Sequence, residues 1–350
     1  MCGLPKSPSA RSTLRAVAVA AGVSLTAASF ALNGTGRVSV ALRKRVTAAA
    51  ERLGYRTDQR VSEIMRRVRQ DHHASYRETI AILDTWPTQG GWREPIANRG
   101  YREGMRRRAA ALGYDLQEHW LGAPGMTPRR MGAILRARGI RGIVVPPVIR
   151  PDAASLMDWS SFSSVTIGPS LNVPMNRVCN HRFRTVRTAI NRLSELGYER
   201  LGFVMVRHPL RLVEEFWCSG FLSHYATAPA SRRVPLLIYE PGALPRVATW
   251  YRKYRPDAVL VHDGDQVEVL RSAGLQPTRN GAIAHLNWTP GQVEFAGVDQ
   301  RAEMLGATAI DCLMGQLLRN EIGLPDAPQE IMIDSVWCDG PSAPARHSGH

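Results

Sequence analysis

The chain has 350 residues, 44% hydrophobic and 21% charged. That composition excludes disorder over most of the length and, at roughly 150 residues per domain, implies two to three domains. Lys and Arg number 45 against 30 Asp and Glu, a formal charge of +15, which favours a polyanionic partner such as nucleic acid. Residues 1–77 hold 14 of the basic and 4 of the acidic side chains, so two thirds of the excess sits on about a fifth of the chain. Such a distribution fits a small module that grips a polyanion beside a larger body with another task. A merely solubilising arm is the competing reading.

Cys2, Cys179, Cys218, Cys312 and Cys338 are odd in number, widely spaced and without a CxxC pair, so neither a disulfide framework nor a zinc site is expected. A reducing, cytoplasmic setting fits them. The apolar stretch Ala16 to Leu32 follows Lys6, Arg11 and Arg15 and imitates a secretory signal, but Gly22, Ser24, Thr26 and Ser29 interrupt it and a strongly basic helix follows. No other stretch reaches the ~18 apolar residues of a membrane span, and no membrane partner is expected.

Leu14, Val17 and Ala21 recur at helical spacing behind Thr13, a suitable N-cap, and Gly22 can stop that helix. Ser24 can cap a second helix with Leu25, Ala28 and Leu32 on one face and Thr26, Ser29, Phe30 and Asn33 on another. Two helices joined by a tight turn containing glycine form a helix-turn-helix. After Gly34-Thr35-Gly36, Ser39 can cap a third helix whose Leu42, Val46, Ala49 and Leu53 pack inward while Arg43, Lys44, Arg45 and Arg52 stay in water; Gly54 ends it. The small, polar face of the second helix suits a major groove, with an ordinary solvated three-helix cap as the bland alternative; the surrounding basic charge favours DNA.

The segment Thr13 to Arg56, TLRAVAVAAGVSLTAASFALNGTGRVSVALRKRVTAAAERLGYR, resembles the DNA-binding headpiece of the lactose repressor/galactose repressor (LacI/GalR) regulators. The points of similarity are GVS at Gly22 to Ser24, LNG at Leu32 to Gly34, VS at Val38 and Ser39, and AAAERLGYR at Ala48 to Arg56. The resemblance implies that Thr13, Ser24, Ser29, Asn33, Arg37 and Ser39 hold phosphates or frame an operator, while Leu25, Thr26 and Phe30 occupy base-reading positions. Relatives commonly carry Thr-Val-Ser-Arg across the second helix, where this chain has Ala27, Ala28, Ser29 and Phe30. Without that arginine there is no bidentate contact to guanine, and Phe30 either touches thymine methyls or falls back into the core. TDQRVSEIMRRVRQ, Thr57 to Gln70, resembles the family's hinge helix, with Ile64 at the minor-groove wedge position and Met65 beside it. A linker helix that packs Ile64 on its dimer mate is the compatible alternative.

From Thr79 short apolar runs alternate with amphipathic stretches, the pattern of parallel sheets built from strand-helix units. Strands are expected at Thr79–Asp84, Tyr114–His119 and Gly142–Pro147, with helices at Ile96–Leu112 and Pro128–Arg138. A second series follows: SVTIG from Ser164, a helix over Arg184–Leu196, a strand at Arg200–Val206, a helix around Glu214–Ala226, then PLLIY, DAVLVHD and GAIAHLN. Two doubly wound halves are implied. This layout resembles the family's periplasmic-binding-protein-like type I core, most clearly in RARGIRGIVVPP, SELGYERLGFV, PDAVLVHDGD and AGVDQRAEMLGATAIDCLMGQL. The fold class expected is therefore an all-α helix-turn-helix headpiece on an α/β core of two parallel-sheet subdomains. The division runs 1–12 tail, 13–56 headpiece, 57–78 hinge and linker, and 79–338 core. Within the core, 79–178 and 303–330 make one subdomain and 179–302 and 331–338 the other; a frayed tail covers 339–350.

In such a core the chain crosses between subdomains three times and leaves an effector cleft at the strands' carboxyl ends. The resemblance places Asp84, Trp86, Trp92, Trp217, His262, Asp263 and Asn287 there. Trp217, His262 and Asn287 stand where the family's sugar binders usually have arginine, asparagine and aspartate, so a hexose effector is not expected; the alternative for each is a loop or core role. No GxSxG, HExxH, P-loop or GxGxxG motif is present, and the HDGD at His262–Asp265 lacks a second ligand set, so neither catalysis, a metal site nor a cofactor is expected. The sequence thus points to a homodimeric, cytoplasmic transcription regulator, with double-stranded operator DNA and an unidentified small-molecule effector as partners. A small-molecule sensor with an incidental basic arm is the alternative, and a DNA-binding protein without an effector a third.

Overall fold

The computed structural model describes residues 14–24, 27–28, 31–32, 39–53, 78–208, 211–262, 264–277 and 279–346. The chain divides into two compact units, residues 1–76 and 77–350.

In the first unit, α1 (Leu14–Ala20) and α2 (Val40–Arg52) flank a helical stretch that includes Ala27, Ala28, Ala31 and Leu32. Val17, Ala18, Ala21, Ala28, Ala31, Val46, Ala49 and Ala50 form its core. Mostly methyl-sized side chains let three helices approach closely within a very small core. Gly22 turns the chain at φ 62°. The Ser24 hydroxyl accepts from Ala27 N at 3.2 Å and the Ser39 hydroxyl from Leu42 N at 3.2 Å, each satisfying an amide that helix geometry leaves open. Arg43, Lys44, Arg45 and Arg52 are exposed, as their spacing predicts. Leu53 corrects the expectation: it is 40% exposed, because it forms the C-cap of α2 rather than a further turn on the buried stripe.

The second unit contains two six-stranded sheets. The first has the order β11-β5-β4-β3-β1-β2, all parallel: β1 (Glu78–Asp84), β2 (Tyr114–Trp120), β3 (Gly142–Val145), β4 (Ser163–Ile167), β5 (Asn176–Asn180) and β11 (Glu330–Ile333). The second has the order β12-β10-β9-β8-β6-β7: β6 (Leu201–Val206), β7 (Leu237–Tyr239), β8 (Ala258–Val261), β9 (Ala282–Trp288), β10 (Ala296–Asp299) and β12 (Val336–Cys338), with only β12 antiparallel. The expected fold class is the one observed, with β5, β10, β11 and β12 added to the strands predicted.

Helices cover both faces of each sheet, which is why the inner strands read as unbroken apolar runs. On the first sheet, Ile80, Ile82, Val144 and Val165 pack with Met105 of α3 (Ile96–Ala111) and with Leu305, Ile310 and Leu313 of α9 (Ala302–Arg319). Ala81, Leu83, Ile143 and Val145 face Met131 and Leu135 of α4 (Pro128–Ala137) together with Phe162. On the second, Phe203, Met205 and Leu260 meet α5 (Arg182–Glu195) and α6 (Arg211–Thr227), while Val204, Val259 and Val261 meet α7 (Pro245–Tyr254) and α8 (Gly264–Ser272). Burying each such aliphatic or aromatic side chain stabilises the fold by about 1.5–3 kcal/mol.

The segment expected as a frayed tail is partly incorporated. Ser342 and Ala343 are buried; the Ser342 hydroxyl accepts from Ala296 N at 2.8 Å and donates to Ile283 O at 2.6 Å. Tyr198 donates its hydroxyl to Pro344 O at 2.7 Å, and Arg346 pairs with Asp257 at 2.8 Å. Residues 342–346 therefore fasten the second sheet to the end of α5. The sequence hid this, because the segment is short of apolar residues and its contacts are made by backbone, one serine and one arginine.

Candidate nucleic-acid interface and effector cleft

In the headpiece, Ser24 and Ser39 are exposed residues at helix starts, each accepting a backbone amide. A helix start turns its open N–H groups towards an anion, so these are suitable positions for phosphate contacts. Thr13, Leu25, Thr26, Ser29, Phe30, Asn33, Arg37 and Ile64, named from the sequence for DNA contact, lie outside the residues whose side chains are described.

Within the core the chain passes between the two sheets three times, from β5 into α5, from β10 into α9, and from β11 into β12. Each passage leaves the carboxyl end of a strand, so those ends of both sheets border one cleft. In each sheet the order also reverses between neighbours, at β1/β3 and at β6/β8, and such switch points are where open α/β sheets hold ligands. The crossings are tied together. Asn180 donates to the Ser335 hydroxyl at 2.6 Å and accepts from Thr185 at 2.9 Å, Thr185 and Ser335 share a 2.7 Å bond, and Arg184 pairs with Asp334 at 2.8 Å.

On the first wall, Asp84 ends β1 buried, its two oxygens accepting Trp86 N at 2.9 Å and Gly90 N at 2.7 Å. Burial raises its pKa despite those bonds. Both oxygens are committed to holding the loop. Trp86 is half-buried; its Nε1 donates to Pro147 O at 2.9 Å and its carbonyl accepts from Trp120 Nε1 at 2.8 Å, which seats it at the β1/β3 switch point. Trp92 corrects the sequence expectation: it is fully buried among Ile80, Ile82, Tyr101 and Met105, because the 3-10 turn Gly91–Arg93 folds it under the sheet. It is a core residue.

On the second wall, Trp217 of α6 also departs from the expectation: it is buried in the core with Phe203 and Phe221 rather than open to the cleft, and it meets His262 beyond β8 with ring centroids 5.5 Å apart and an interplanar angle of 72°, an edge-to-face pair. His262 N donates to Gln266 Oε1 at 3.0 Å, and Gln266 donates to the Tyr239 hydroxyl at 3.1 Å, so the loop is anchored from beneath. Asn287 at the end of β9 is half-buried and accepts from Gln300 Nε2 at 3.3 Å; Gln300 also donates to Leu286 O at 2.9 Å. Asp263 lies outside the described residues.

Arg182, not singled out in the sequence, is the side chain that reaches between the walls. It opens α5 just after the first crossing, and its guanidinium carbon lies 5.7 Å from the Trp217 ring centroid. It is also within electrostatic range of Tyr101 of α3, Cys179 of β5 and Glu330 of β11. Burial pushes its pKa down. The sequence signal was the basic run HRFR at 181–184 directly after a short strand, which reads as solvated helix surface until the crossing is known.

Among the described residues no group of His, Cys, Asp and Glu is placed to hold a metal ion, and no helix is long and apolar enough to cross a membrane. A surface pocket of about 410 Å³ lined by Trp159, Asn172, Pro174 and Leu324 lies at the amino ends of β4 and β5, away from the cleft.

Residues 13–58 match the family model described as "Bacterial regulatory proteins, lacI family". No curated protein sequence matches the chain. The structure is similar to the transcriptional regulator CelR–cellobiose complex, at 19% identity and TM-score 0.57 over 95% of this chain and 100% of that one. It is also similar to the lac repressor dimer bound to operator and the anti-inducer ONPF, at 17% identity and TM-score 0.57 over 96% and 100%. A third similar structure is a periplasmic binding protein/LacI transcriptional regulator from Alkaliphilus metalliredigens QYMF complexed with D-xylulofuranose, at 13% identity and TM-score 0.54 over 76% and 99%. At these identities the likeness speaks for the fold, and the family match speaks for the headpiece. Residues 13–58 thus match the lacI-family model, and the core has the fold those similar structures share.

Proposed function

We propose that the chain works as a cytoplasmic homodimeric repressor that binds a pseudo-palindromic operator and is modulated by a small molecule in the cleft between its two sheets. The observation that carries the reading is the lacI-family match over residues 13–58, within the 77 residues that hold two thirds of the chain's excess positive charge. Phosphate contacts from this segment would supply salt-dependent affinity, and the second headpiece helix, with Phe30 in place of the usual arginine, would read bases. A two-fold dimer fixes the spacing of two half-sites. A ligand that prefers one arrangement of the cleft would shift the regulator between states by as much as its affinities differ. Two of the similar structures are named as complexes with cellobiose and with D-xylulofuranose, which supports a ligand-binding role for a cleft of this kind.

Selection of random duplex DNA on the full-length protein, followed by affinity measurement over a salt series, tests the reading. The expected winner is palindromic and bound at least ~10³-fold tighter than scrambled duplex. Weak, sequence-blind binding that only follows salt would overturn it.

A further inference from the structure

Arg182, half-buried at the meeting of the two walls, has no ion-pair partner among the described residues. Among the described residues its Nε is buried without a hydrogen-bond partner, and no carboxylate closes an ion pair on its guanidinium. The acid nearest to it electrostatically, Glu330, is engaged elsewhere, at 2.7 Å from the Cys179 thiol. On the first wall Asp84 has spent both oxygens on its own loop. What Arg182 has is an aromatic face: Trp217, itself 2% exposed, lies under the guanidinium at 5.7 Å and is braced edge-on by His262. A cation–π contact offsets only part of the cost of taking a charge out of water. Proteins rarely leave a buried donor open without a function for it, and a planar guanidinium fork matches the two oxygens of a carboxylate or phosphate.

We propose that the cleft takes a small organic oxyanion, a carboxylate or a phosphate ester, with Arg182 as the residue that binds its charged group and Trp217 as the platform that aims the guanidinium. The assignment rests on the reading of the cleft as an effector site and adds the chemical class of the effector. Arg182 lies on α5, whereas Tyr101 and Glu330, whose charges bear on it, lie on elements of the other sheet.

Tryptophan fluorescence of the full-length protein, titrated at fixed ionic strength with inorganic phosphate, benzoate or cellobiose, tests the proposal, with chloride as the filler salt. Arg182→Met keeps the length and removes the charge, Arg182→Lys keeps the charge and removes the fork, and Trp217→Phe identifies the reporting ring. A saturable change with phosphate or benzoate is expected, weakened about 10- to 100-fold in R182M as for the loss of a charge-assisted pair, and partly retained in R182K. A response to phosphate alone assigns a phosphate ester, and a response to benzoate alone a carboxylate. Anion binding that R182M leaves unchanged overturns the assignment. Binding of cellobiose with no response to either anion overturns the oxyanion while the effector cleft stands, and silence to all three probes overturns both. If Arg182 is instead only a structural brace, R182M will lower the melting temperature without changing any titration, and the proposal falls.

Discussion

Gly104 of α3 and Glu303 of α9 are in backbone contact: the place a methyl group would take on Gly104 is filled by the Glu303 carbonyl. Gly306 of α9 makes the reciprocal approach to the carbonyl of Tyr101, so each helix lays a glycine against the other's main chain. Exchanging a helical glycine for alanine normally gains up to about 1 kcal/mol from backbone entropy. Here overpacking reverses the sign. Gly104→Ala is expected to destabilise the core by about 1–3 kcal/mol, read as a lower urea midpoint. Gly132→Ala in α4, where the nearest atom is the end of the flexible Arg136 side chain at 3.5 Å, is expected to be neutral or stabilising.

The acid limb of the stability curve should depend on Glu103. Hydrogen bonds from Arg106 and Arg107 hold its pKa down at about 2, below the ordinary carboxylate range. A lowered folded-state pKa gives a contribution present above the unfolded value and lost as pH falls through about 2. Glu103→Gln should therefore flatten the loss of stability below about pH 4.5 at low salt. The carboxylate is exposed, so high salt should erase the difference. Asp84 acts with the opposite sign: its raised pKa favours the fold below the unfolded value, and that contribution is lost as pH rises through the folded one.

Ser342→Ala removes a buried hydroxyl that serves Ala296 N and Ile283 O at once. Both backbone groups would be left unpaired at the margin of the second sheet. The expected cost is about 1–3 kcal/mol, with faster hydrogen exchange at Ala296 as the local reading.

Ser39→Ala deletes the cap of α2. A loss of about 1 kcal/mol of helix stability is expected, seen as faster exchange of the Leu42 and Arg43 amides in the full chain and weaker DNA binding. Ser39→Thr should restore most of it, since threonine also caps.

What the sequence disclosed follows from how burial is written in it. β1, β3, β6, β8 and β9 are covered on both faces, so ILV-rich runs such as IAIL and AVLV announce them. β5 is written NRVCN and β11 lies exposed at an edge as EIMI, where the apolar signal is thin. Trp92 shows the limit from the other side: the resemblance places it in the cleft, yet the tight turn at Gly91 sends the ring into the core. Arg182 and Trp217 are 35 positions apart and meet because α5 and α6 pack side by side on the second sheet. Local periodicity carries no trace of such a meeting, and resemblance to relatives directs attention to their ligand positions rather than to a cation at the start of the neighbouring helix.

The passage of the chain between sheets also sets an order of assembly. The first sheet receives its edge strand only with Glu330–Ile333, and the second receives β12 and the Ser342 plug later still. During vectorial synthesis neither half can be finished before the other has been made. The nascent core must wait with the first sheet's edge open until about residue 333 and the second's until about residue 342 has left the ribosome, whereas the headpiece, whose described core is drawn wholly from residues 17–50, can close long before.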